Sequence, residues 1–131
     1  MKDFDEAMKA VNGDFFNNYR MLNNRCYSAA VAGLLDSAQE SCDASIQLHE
    51  RNESVYDSRG LVDLKSGHWD AAIADYTKAL YYRPEYALAL YGRGLAKRAK
   101  GDAAGAAADM ATAEKSEPAI AAIMTRLGVP S

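Results

Sequence analysis

The feature that most limits what this chain can fold into is its self-similarity. Shifted by 34 residues over itself, it places Arg59-Gly60-Leu61 on Arg93-Gly94-Leu95, Gly67 on Gly101, Ala72 on Ala106 and Ala74 on Ala108. Asp75 falls on Asp109, Ala79 on Ala113 and Pro84 on Pro118. One step further back, Arg25, Gly33, Asp36 and Ala38 stand opposite Arg59, Gly67, Asp70 and Ala72. A period of this length marks a unit that buries its apolar face by stacking on its neighbours, so the fold is an array.

Each unit reads as two helices. Ala72, Ile73, Tyr76, Ala79 and Leu80 recur at three and four, and no run alternates at two, so the chain is all-helical. In the second unit the helices are expected over about Ser54–Ser66 and Asp70–Tyr82. Gly67 sits between them as a left-handed C-cap, and Pro84 ends the second helix because it has no amide donor. Gly60, Ala72 and Ala79 are small where the paired helices approach closely.

Length and composition exclude several classes. A chain of 131 residues with 49% hydrophobic and 25% charged residues is one folded domain. Fifteen basic against eighteen acidic residues leave a net charge of −3, which excludes the concentrated positive surface that nucleic acid needs. No stretch approaches the roughly eighteen apolar residues of a membrane span, so no membrane insertion is expected. The start, Met1-Lys2-Asp3-Phe4-Asp5-Glu6, has early acids and no apolar run and does not read as a signal peptide.

The period and the pattern of Gly60, Ala72, Tyr76, Ala79 and Pro84 resemble the tetratricopeptide repeat, and Gly94, Ala106, Met110, Ala113 and Pro118 resemble it again. The flavour of the units also resembles small bacterial proteins of this family. The first unit is degenerate: Cys26 replaces the glycine, Cys42 the aromatic, Ser45 the alanine and Glu50 the proline. The resemblance implies a right-handed superhelical solenoid with three units at 19–52, 53–86 and 87–120. Residues 1–18 would be a leading helix and linker, and 121–131 a capping helix and tail. The capping stripe of Ile120, Ile123, Met124 and Leu127 is expected to pack mainly on the second helix of the third unit.

Two positions depart from the family pattern. Arginine stands three times where leucine is usual, at Arg25, Arg59 and Arg93. In an antiparallel pair that position faces Asp75 in the second unit and Asp109 in the third. A guanidinium held there needs its charge paired, so Arg59 and Arg93 are expected to bond Asp75 and Asp109, within a unit or between neighbours. The first unit has Ser41 at that place, and Arg25 needs another acceptor. Asp63 and Lys97 occupy equivalent positions one repeat apart and are expected to pair with each other.

Chemistry does not gather anywhere. His49 and His68 lack a nucleophile or carboxylate at triad or zinc spacing, and Cys26, Cys42 and His49 match no metal signature. No enzyme activity, cofactor or metal is expected. Cys26 and Cys42 stand on facing helices, and two readings remain: reduced core thiols of a cytoplasmic protein, or a disulfide in an exported, periplasmic one.

The resemblance implies that the first helices of the units line a concave groove. Its candidate partner-binding residues are Tyr27, Asp57, Leu61, Leu64, Lys65, Leu88, Tyr91, Leu95 and Arg98. The family's two-carboxylate clamp would fall on Asn23, Tyr27, Ser58, Leu88 and Gly92, where none of its basic residues is present. The expected function is therefore a protein-interaction module that takes an apolar peptide or helix, with Tyr91 and Leu61 as central anchors. The alternative is an assembly protein that self-associates through its terminal helices, as a monomer or weak homodimer. The leading helix, through Phe4, Met8 and Val11, or Phe15 and Phe16 after it, could instead cover the groove.

Overall fold

The computed structural model describes residues 15–49, 51 and 53–129. Among them are seven helices and no strand: α1 (Phe15–Ala32), α2 (Leu35–Leu48), α3 (Glu53–Ser66), α4 (Trp69–Tyr82), α5 (Ala87–Ala99), α6 (Ala103–Ser116) and α7 (Ile120–Arg126). The leading helix expected from Phe4, Met8 and Val11 lies outside the described residues. The first unit's helix α1 already begins at Phe15, ahead of the boundary expected at 18/19.

Helices pair as α1–α2, α3–α4 and α5–α6, and each pair stacks on the next. The first helices also lie side by side, α1 on α3 and α3 on α5, so they form one layer of the solenoid. One turn is used throughout. Gly33, Gly67 and Gly101 adopt φ of 82°, 78° and 95°, a region that costs other residues a Cβ clash. The amide after each glycine reaches back five residues, Leu34 to Ala29, His68 to Asp63 and Asp102 to Lys97, at 2.8–2.9 Å. These bonds satisfy helix-end carbonyls and reverse the chain. Gly128 repeats the motif at φ 84° and ends α7, with Val129 N–H on the Met124 carbonyl at 3.1 Å.

Residues 16 apart form rungs across each pair. Among the described residues Tyr76 is the largest fully buried side chain, and its ring lies against Gly60 of its own unit and Gly92 of the next. A Cβ on Gly60 would stand 2.8 Å from that ring, and one on Gly92 would stand 2.5 Å from it. In the third unit Met110 lies against Gly94. In the first, both places hold cysteine: Cys26 and Cys42 are fully buried and paired as a disulfide, with Cα atoms 5.1 Å apart.

The neighbouring rung is ionic. Arg59 donates from Nε and Nη2 to both carboxylate oxygens of Asp75, at 2.9 and 2.8 Å. Arg93 does the same to Asp109, at 2.8 and 2.9 Å. Both forks close within their own unit. The remaining nitrogen reaches back to the preceding unit, from Arg59 Nη1 to Asp43 at 3.1 Å and from Arg93 Nη1 to Thr77 at 3.2 Å. Arg25 is exposed and makes no salt bridge among the described residues.

Asp63 and Lys97 do not pair with each other. Lys97 turns into its own unit and bonds Asp109 at 2.9 Å, beside Arg93. Burial alone would raise the pKa of Asp109, but the hydrogen bonds from Arg93 and Lys97 outweigh it and hold it below the usual carboxylate value. Asp63 is buried against Asp75.

Candidate functional site

The concave layer is built from α1, α3 and α5, and α7 lies on it. The last helix packs on α5 as well as on α6, rather than mainly on α6, and its end crosses to α3 and α1. Its stripe is apolar on a short, two-turn element. Seating it over apolar residues of the concave face removes that surface from water, which isolated helices of this length cannot do. Ile120, Met124 and Val129 are consequently buried.

The centre of the surface gathers four of the sequence-derived candidates. Tyr27 of α1, Asp57 and Leu61 of α3 and Leu88 of α5 surround one small void, with Ser58 and Tyr76 below and Met124 and Leu127 above. The void holds about 10 Å³, no more than a single water needs. The groove is filled by the chain's own C-terminal segment.

That filling corrects several expectations. Leu61 is only 3% exposed, and Leu64 and Leu95 are buried too, so none is a free anchor on an open wall. Leu61 lies under Met124 and Leu127. Leu64 and Leu95 belong to the common core rather than to a solvent-facing strip. Tyr91 is half-buried against that core, Tyr27 keeps 42% of its surface exposed, and Arg98 is exposed.

Lys65 does not project toward a ligand. Its Nζ donates to the carbonyls of Ala30 (2.7 Å), Val31 (3.2 Å) and Leu127 (3.0 Å), which ties the end of α1 to the end of α7. Burial lowers its pKa. A Cβ on Gly128 would sit 2.8 Å from the same Nζ, so glycine there lets the chain close over the lysine.

Asp57 is an acid inside this surface. Burial pushes its pKa up to about 6, against the hydrogen bond it accepts from Tyr86 Oη at 3.2 Å and the nearby charge of Arg83. Ser58, Tyr86, Met124 and Leu127 were not among the candidates. The available signal was the unmasked apolar stripe of the last helix, which lacks the polar outer face of a solenoid cap. Among the described residues, no three His, Cys, Asp or Glu side chains cluster as metal ligands, and no helix is long and apolar enough to cross a membrane.

Paired helices of 13 to 18 residues, a repeated glycine reversal and a concave first-helix layer define a helical-repeat solenoid. The chain has the fold of a tetratricopeptide-repeat solenoid. Residues 60–101 match the family model described as TPR repeat. The "Arabidopsis OM64 TPR domain" is similar in fold, with a TM-score of 0.76 at 22% identity over 87% of this chain and 97% of that one. Among curated proteins, no sequence matches. Repeats of this kind generally mediate protein–protein interaction.

Proposed function

We propose that this chain is a non-catalytic protein-interaction module whose concave surface takes an apolar helical segment of a partner. The observation that supports this reading is the seat already made there. Leu61, Leu88 and Tyr27 receive Met124 and Leu127 from one face of a helix, with a void of only about 10 Å³ left over. Large side chains entering a pocket of aromatic and aliphatic residues are the usual anchors of protein recognition. At the seat itself Lys65 is consumed by carbonyls. An apolar segment suits it better than an acidic tail.

Self-association through the α7 stripe finds less support, since Ile120 and Met124 are already buried within the chain. A photo-crosslinking amino acid at Tyr91, on α5, is expected to join a partner peptide that mass spectrometry reads as an amphipathic, apolar segment. The same group at Lys115, exposed on α6, is expected to join none. Crosslinks from Lys115 alone, or only to polar segments at Tyr91, would count against the concave surface.

A further inference from the structure

We infer that α7 is an internal ligand of the concave surface. The partner segment is then a short helix with large apolar side chains at the spacing of Ile120, Met124 and Leu127, and it enters by displacing α7. This rests on the reading of the concave surface as the binding face.

A helix that only sealed the end of the array would cover the third unit and stop. Here Ile120 and Met124 are buried, Met124 and Leu127 meet residues of α1, α3 and α5, and the chain beyond bends at Gly128 to bury Val129. The segment therefore spans the first helices of all three units, as a bound peptide would. Residues i, i+4 and i+7 share one helix face, which is the pattern of helix-in-groove recognition.

The attachment is also of the kind that opens. With seven residues α7 is too short to be stable alone, and it depends wholly on its seat. At its far end the polar fastening is one ammonium, Lys65, shared between the Leu127 carbonyl and two carbonyls of α1. Its hold is otherwise apolar, through Ile120, Met124 and Val129 in the common core. While α7 is seated, any competing helix binds only to the open fraction, and its apparent affinity falls by that fraction. The protein thus carries its own competitor, and partner strength is set by how closely the partner reproduces α7.

The test uses the full chain and a fluorescein-labelled peptide of residues 117–129. In the variant carrying Met124→Asp and Leu127→Asp, α7 leaves its seat. The peptide is then expected to bind at least about tenfold tighter than to the wild type, in proportion to the freed population. Adding Leu88→Asp to that background is expected to remove the gain. If the double variant does not fold, Lys65→Met keeps the aliphatic stem, releases the three carbonyls and is expected to tighten the peptide by about threefold or more. Equal binding to wild type and opened variants, indifference to Leu88→Asp, or no binding to any of them overturns the internal-ligand assignment. The groove reading is decided separately: an apolar crosslink at Tyr91 together with a silent α7 peptide would leave it standing without this inference.

Discussion

Asp63 shows how one substitution changes the chemistry of a repeated position. Lys97, its equivalent one unit on, completes a paired carboxylate at Asp109, whereas Asp63 puts a second acid beside Asp75. Its Oδ2 is buried without a hydrogen-bond partner, which costs less for a protonated carboxyl bonded to Asp75 than for a carboxylate. Burial, then the hydrogen bond and charge of Asp75, push its pKa well above the usual carboxylate range. The folded state therefore holds a proton that the unfolded chain releases above its ordinary value of 3.8. Stability must fall as pH rises from that value to the folded pKa, by up to about 1.4 kcal/mol per pH unit, and then level off. Asp57 contributes in the same sense, but only up to about pH 6. Above pH 6 the decline belongs to Asp63 alone of the two. Asp63→Asn, which keeps a donor toward Asp75, is expected to raise the urea midpoint at pH 8 more than at pH 5. Equal shifts at both pH values would show that Asp63 is ionised in the fold.

At the scale of the element, the helix pairs are set by how closely two backbones approach. Glycine inside a helix costs about 1 kcal/mol relative to alanine, so Gly60→Ala and Gly92→Ala would stabilise isolated α3 and α5. The Tyr76 ring reverses that sign, because it is locked between the two glycines and cannot retreat from a methyl placed under 3 Å away. Each change is expected to destabilise by about 1–3 kcal/mol, the usual cost of overpacking, as measured by thermal or denaturant unfolding. If either variant is more stable, the ring has room that its burial does not suggest. The 34-residue period, the turn glycines and the small residues at close approach were all readable in the chain, because each is fixed by geometry inside one unit. The Asp63–Asp75 contact was not, since the equivalent positions in the third unit hold Lys97 and Asp109 and give an opposite pairing rule. The seat of α7 was not readable either. A stripe such as Ile120, Met124 and Leu127 shows that a face must be buried but not which surface of the array receives it.

Across the whole molecule the three units are held by different means, and an array of this kind is stabilised by the sum of its units and their interfaces. The second and third units have an arginine fork, Arg59 on Asp75 and Arg93 on Asp109. The first has Arg25 exposed and Ser41 in the aspartate's place, so its pair lacks that rung. It has the Cys26–Cys42 bridge instead, at the position where the others use glycine against tyrosine or methionine. Closing a loop of 16 residues is worth about 3 kcal/mol on the chain-entropy model. Reductant is therefore expected to act locally. Hydrogen exchange should accelerate severalfold or more in α1 and α2 while α5 and α6 change little, because α5 packs mainly on α6, α4 and α3, and α6 on α5. One element should break that gradient. Lys65 ties the carbonyls of Ala30 and Val31 to that of Leu127, so α7 is expected to loosen together with α1 rather than with its sequence neighbour α6. Peptide-resolved exchange with and without dithiothreitol reads all of this at once. Uniform acceleration would mean that the array opens as a single unit. Two thiols alkylated before any reductant is added would mean that the first unit holds its shape through packing alone.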